Sequence, residues 1–200
     1  GFFTWAADFD PGVGTFNLTT AGMSDVFIQK LDASGNFLWA KNFGGTSSDI
    51  GYSITVDASG NVYATGLFSG TVDFDPGAGL FNVTSAGSYD VFIQKLDASG
   101  SFLWAKAFGD ASHDSGRSIT VDASGNLYTT GYFTGTVDFD PGAGTFNLTS
   151  VGNNDVFVQK LDTLGNFLWA KAFGGTSNDV GHSITVDASG NIYTTGLFTW

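Results

Sequence analysis

The chain has 200 residues, 42% hydrophobic and 16% aromatic, which is ample apolar matter for a packed core. Its net charge is −12, from 19 Asp and no Glu against 7 Lys and Arg, so nucleic acid and anionic membrane surfaces, which need a basic face, are excluded as partners. Cys is absent, which excludes a disulfide scaffold and any thiolate metal or redox site; no apolar run in these residues is long enough to span a bilayer, and a window cut from the middle of a precursor is expected to show neither a span nor a signal peptide.

The chain repeats itself. Asp25-Val26-Phe27-Ile28-Gln29-Lys30-Leu31-Asp32 returns at Asp90 and Asp155, and Ser53-Ile54-Thr55-Val56-Asp57 returns at Ser118 and Ser183. Every landmark recurs at a spacing of 65 residues, and residues 66–130 and 131–195 differ at 17 of 65 positions. A fixed period of this size signals a repeat architecture. The periods run 1–65, 66–130 and 131–195, with 196–200 opening a fourth. The first and last residues fall within predicted strands. The expectation is a window of a longer array, or a protomer completed by its neighbour.

In chain order, the middle period opens with Gly66 to Gly70, the end of a strand. An insert follows, from Thr71-Val72-Asp73-Phe74-Asp75-Pro76-Gly77 through Phe81-Asn82-Val83-Thr84-Ser85, which suits a further short hairpin. Asp90–Leu96 reads as a strand, and Asp97-Ala98-Ser99-Gly100-Ser101 as a tight turn. In such turns Asp accepts backbone N–H groups and Gly supplies the positive φ. Phe102–Phe108 is the next strand. After a loop, Ser118–Asp122 alternates polar and apolar, Asp122-Ala123-Ser124-Gly125-Asn126 repeats the turn, and Leu127–Gly131 returns. No segment has helical periodicity. The reading is four antiparallel strands per period.

Phe102–Phe108 has two apolar faces. Phe102, Trp104 and Phe108 point one way with Lys106, and Leu103, Ala105 and Ala107 the other. A large face against a small face is how like sheets stack. The fold expected is all-β, a β-propeller-like array of four-stranded antiparallel blades. The segments SITVDASGNVYATG, DVFIQKLDASG, FLWAKNFGG and DFDPGAG resemble the SBBP-type β-propeller repeats of bacterial secreted and cell-surface proteins, over the whole chain. That resemblance implies a propeller-like fold, export and a non-enzymatic role. Three blades are too few for a typical closed ring, so a partial ring, an oligomer or an open, filamentous array is expected.

Few residues suggest chemistry. Asp73 and Asp75 place paired carboxylates on one face of an extended segment, as do Asp8 and Asp10 in the first copy and Asp138 and Asp140 in the third. Calcium would suit such a pair; the alternative is a loop closed on its own backbone amides. No other cofactor is implied. Asn17, Asn82 and Asn147 head N-glycosylation sequons at equivalent positions. Ser112, His113 and Asp114 are adjacent in sequence, a poor basis for a triad whose members meet from different elements. His113 and Arg117 read as drift between copies; Tyr89, Tyr132 and Trp5 could stack on sugars, but Tyr89 is Ser24 and Asn154 in the other copies, so no aromatic platform repeats. Asp49, Asp114 and Asp179 persist and predict a structural contact, and the recurring Lys95 and Lys106 read as partners of Asp.

The expected function is therefore a non-enzymatic, extracellular or cell-surface structural or adhesive protein that partners itself, with surface glycans or proteins as further partners. The alternative is a lectin-like or protein-binding propeller with one equivalent site per blade.

Overall fold

The computed structural model describes residues 1–200, all strand and turn. The first stretch holds β1 (Phe2–Phe3), β2 (Ala6–Asp8), β3 (Asn17–Thr19), β4 (Asp25–Leu31) and β5 (Phe37–Phe43). Then come β6 (Ile50–Val56), β7 (Val62–Phe68), β8 (Thr71–Asp73), β9 (Asn82–Thr84), β10 (Asp90–Leu96) and β11 (Phe102–Phe108). The pattern repeats as β12 (Ser115–Val121), β13 (Leu127–Phe133), β14 (Thr136–Asp138), β15 (Asn147–Thr149), β16 (Asp155–Leu161) and β17 (Phe167–Phe173). The chain closes with β18 (Val180–Val186) and β19 (Ile192–Leu197).

Two complete four-stranded antiparallel sheets result, ordered β6-β7-β10-β11 and β12-β13-β16-β17. Before them stands the sheet β1-β4-β5, and after them the pair β18-β19. Each insert is the expected short hairpin: β2-β3, β8-β9 or β14-β15. The complete sheets thus run from residue 50 to 108 and from 115 to 173, offset from the sequence periods by part of a repeat. The first strands β6, β12 and β18 pack against one another as the sheets stack. This is blade stacking of the propeller kind, with no ring closed.

The second and third strands carry the core. β7, β10 and β13 are buried at every residue, because a sheet covers each of their faces. The fourth strand differs from expectation. Opposite it the register slips between Lys95 and Leu96, which pair with Trp104 and Phe102 and leave Leu103 unpaired. That β-bulge turns Phe102 away from Trp104 and Phe108 and puts Leu103 in solvent. Large-on-small stacking survives it. Trp104 and Phe108 of one sheet share a core with Ala170 and Ala172 of the next, while Ala105 and Ala107 pack toward Phe43 and Trp39 of the sheet before.

Each core is therefore a seam between two sheets, and the insert plugs it. Phe74, between the two aspartates of its loop, is fully buried, with ring centroids 5.3 Å from Phe43, 5.3 Å from Phe68 and 5.5 Å from Phe92. Gln94 Nε2 donates to the Phe74 carbonyl at 2.7 Å, and Gln159 does the same for Phe139. Truncating Phe74 or Phe139 to Ala should cost about 3–5 kcal/mol, the range for a large buried aromatic, measured by urea titration. A loss under about 1 kcal/mol would mean the loop is not part of the core.

Trp5 occupies the place of Gly70 and Gly135. Those glycines have φ of 74° and 72°, and Trp5 is held at 63° with its side chain 83% exposed. A left-handed backbone with a bulky side chain costs about 1–2 kcal/mol, and exposure returns little. Trp5→Gly should raise the thermal midpoint; a lower midpoint would show that the indole contributes packing.

Candidate functional site

The six Asp-headed turns share one backbone frame, and those of Asp57, Asp122 and Asp187 add a tyrosine hydroxyl. Asp122 Oδ1 accepts the N–H groups of Ser124 and Asn126, each at 2.9 Å, and Oδ2 accepts Asn126 Nδ2 at 2.8 Å and the Tyr128 hydroxyl at 3.0 Å. Burial pushes the Asp122 carboxyl up, but the donors from Asn126, Tyr128 and Ser124 outweigh it and hold it low. Gly125, at φ 83°, makes the bend possible. Between neighbouring tips run clefts of about 460 Å³ (Val56–Tyr63 against Val121–Gly125) and about 340 Å³ (Val121–Ser124 against Val186–Gly190). Lysine forms part of this arrangement, though not as the expected partner of Asp. Lys95 Nζ lies 4.9 Å from the centre of the Tyr63 ring and donates to the Thr163 carbonyl of the next sheet.

The insert loops keep their near oxygens for themselves. Asp73 Oδ1 accepts N–H groups from Asp75 at 3.0 Å and Phe81 at 2.8 Å, and Asp75 Oδ1 accepts Gly77 at 2.7 Å. In the third copy Asp138 Oδ1 accepts Asp140 at 3.0 Å and Phe146 at 2.8 Å, and Asp140 Oδ1 accepts Gly142 at 2.8 Å. Asp8 and Asp10 repeat the pattern in the first. The amides of Phe16 and Asp10 hold Asp8 below the usual carboxylate range. These bonds are the loop closure given above as the alternative to calcium. Where calcium was weighed against loop closure, at Asp8, Asp10, Asp73, Asp75, Asp138 and Asp140, the carboxylates stand as pairs, and only the oxygens not used by amides are left for a cation. Nowhere in the chain do three His or Asp side chains converge in a metal-holding group. Asn17, Asn82 and Asn147 are all exposed, as are the threonines of their sequons.

The persistent aspartates hold the seams. Asp114 is fully buried. Its Oδ2 accepts the Asp110 amide at 2.9 Å, its Oδ1 the Thr134 amide at 3.0 Å, and its own N–H donates to the Tyr89 carbonyl at 2.8 Å. One residue thus ties together the sheet before, the connecting loop and the sheet after. Asp49 and Asp179 do the same through Gly45 and Ser69, and through Gly175 and Thr199. Asp90 lies alongside, its Oδ1 buried without a partner. A Cβ on Gly109 would stand 2.6 Å from that oxygen and 3.0 Å from Asp114 Oδ2, so only glycine fits there. Ser112, His113 and Asp114 form no relay, because backbone amides occupy both Asp114 oxygens.

Burial, then the nearby carboxylates of Asp110 and Asp90, push Asp114 up to about 7; burial and Asp25 take Asp49 to about 6. Both values lie above the unfolded value near 3.9. The folded chain therefore holds these protons more tightly than the unfolded chain does. The stability they contribute is full below about pH 4 and is lost as pH rises through 6 to 7. The thermal midpoint should fall by roughly 10 °C from pH 5 to pH 8, read by scanning fluorimetry; a flat or rising midpoint would contradict the assignment.

Residues read as drift between copies, or given no role, come together. His113 stacks on Tyr89 with centroids 4.8 Å apart and meets the Tyr132 hydroxyl through Nε2 at 3.3 Å. The Arg117 guanidinium lies 4.1 Å from the centre of the Tyr52 ring and 5.3 Å from that of Tyr132. The sequence marks these positions as unlike their copies, but nothing in it shows that they are neighbours.

The SBBP β-propeller repeat family matches the chain three times, at residues 38–67, 103–136 and 168–197. Each match covers a seam: the fourth strand of one sheet, the connection and the first two strands of the next. An uncharacterized WD repeat-containing protein of Acanthamoeba polyphaga mimivirus is 31% identical over 186 residues, 84% of this chain and 13% of that protein. The regulatory protein FlaEY of Caulobacter vibrioides is 28% identical over 176 residues, 84% of this chain and 18% of that protein. The chain spans less than a fifth of either relative.

Proposed function

Because this chain belongs to the SBBP-type β-propeller repeat proteins, we propose that it is a non-enzymatic, extracellular structural or adhesive array that extends by stacking its sheets on further copies of itself. One observation carries this reading. Ile119 and Ile184, on the first strands of their sheets, are 4% and 5% exposed, and share their cores with Tyr63 and Tyr128 of the sheet before. Their equivalent Ile54 is 52% exposed, and so is the equivalent tyrosine Tyr193, at 56%. The same Ile–Tyr contact recurs at each internal seam, and a further copy seated by it would cover Ile54 and Tyr193. Two copies meeting head to tail would bury both, in a heterologous contact that propagates unless its rotation closes.

The other repeated residues support the same reading. The seam aspartates, the insert phenylalanines and the turns all serve packing or chain reversal, and repeat arrays act through the surface they present. An acidic surface keeps such an array soluble.

Sedimentation of the 20.9 kDa chain should show concentration-dependent species at multiples of its mass. Ile54→Lys, which places a charge on that half-exposed face, should return it to a monomer. A wild-type chain that stays monomeric into the millimolar range would overturn the head-to-tail stacking.

A further inference from the structure

We propose that the cluster of Arg117, His113, Tyr52, Tyr89 and Tyr132 is a single binding site for a carboxylate-bearing saccharide, present once in the chain and absent from the other seams.

Repetition supplies the first argument. Where the middle seam has Tyr89 and His113, the others have Ser24 with Ser48 and Asn154 with Asn178. The bridge of Tyr89 with His113 recurs at Ser24 with Ser48, and one backbone hydrogen bond is the same in all three seams. Asp114, Asp49 and Asp179 donate their N–H groups to the carbonyls of Tyr89, Ser24 and Asn154, each at 2.8 Å. The fold is thus satisfied by serine or asparagine, and the aromatic pair is not needed to hold the bridge. Tyr132 likewise stands where other copies have Leu67 and Leu197, and Arg117 where they have Tyr52 and His182. Of the 17 positions at which the second and third copies differ, four supply this cluster, and there the side chains touch.

Arg117 supplies the second. It is the only arginine in a chain of net charge −12. It lies on a bulge: Gly116 pairs with Gly131 and Ser118 with Thr130, which leaves Arg117 without a strand partner. Bulges re-aim side chains in this way. Two tyrosine rings hold the guanidinium by cation–π contact, which fixes its plane without using its hydrogen-bond donors. Its Nε is buried without an acceptor, and its terminal nitrogens make no hydrogen bond within the chain, so they are the donors left for a ligand. A planar fork of donors, oriented and unmatched, fits a carboxylate.

The surroundings supply the third. Arg117 and Tyr89 are half-buried, His113 is exposed and Tyr52 is 39% exposed, so the cluster opens to solvent. Burial, with Arg117 beside it, keeps the His113 imidazole neutral at physiological pH. The cluster thus holds one cation among flat aromatic faces. Such faces stack on the C–H surfaces of sugar rings, while the arginine takes one carboxylate. The acidic remainder of the chain repels polyanions without a shaped partner for this fork.

The test is calorimetric titration of the whole chain with trigalacturonate, and with neutral galactotriose in parallel. One trigalacturonate per chain is expected, with galactotriose at least tenfold weaker. Arg117→Tyr and His113→Ser place the first repeat's own residues at these positions, so both variants should keep the wild-type thermal midpoint. Each should weaken trigalacturonate at least tenfold. Arg117→Lys keeps the charge but loses the fork and should also weaken it. No binding, binding at two or three equivalents, or affinity unchanged in Arg117→Tyr would overturn the proposal. None of these results bears on head-to-tail stacking, which uses Ile54 and Tyr193.

Discussion

Each sheet is joined to the next through one buried carboxylate. Asp114 touches three segments that are distant in sequence, through two accepted amides and one donated amide. Those amides lie in a connection with no strand partner, and a buried amide without an acceptor costs about 1–3 kcal/mol. The aspartate satisfies them, and in doing so sets the offset of one sheet from the next. A serine or asparagine cannot offer two acceptor oxygens to two loops. The cost is a desolvated carboxylate beside Asp90, visible in the raised affinity of Asp114 for a proton.

The rest of the repeat follows from that junction. With the offset set, the large face of one sheet meets the small face of the next, and Trp104 and Phe108 lie over Ala170 and Ala172. The seam still needs filling at its end, and the insert does this. Its phenylalanine enters the core while the flanking aspartates close the loop on its own amides. The insert, which lengthens the period beyond an ordinary blade, is therefore part of the packing. The family matches are centred on the seam and not on the sheet, in keeping with a unit defined by its junction.

Near-identity between copies sharpens the search for function. A position that must pack is held alike in every seam, as Asp49, Asp114 and Asp179 are. Positions free to differ can serve something beyond the fold. Tyr89, His113, Arg117 and Tyr132 differ, and the structure brings them into contact. The remaining surface is acidic and repetitive.

The sequence by itself determined the period, the four strands, the Asp-Gly turns and the inserted hairpin. Those features are local: alternation, a glycine at positive φ and an aspartate two residues from the amide it accepts all lie within a few positions. It also marked the seam aspartates as structural, because they recur in an otherwise variable loop. Tertiary structure alone decided three things. The bulge at Leu103, which reverses Phe102, arises from the register with β10, across the sheet. Lys95 faces a tyrosine ring and a carbonyl of the next sheet because sheet stacking, which local pattern does not specify, brings them there. And Arg117 meets Tyr52, 65 positions away, only because β6 and β12 pack side by side; contacts between copies depend on how the copies are placed, and repetition alone leaves that placement open.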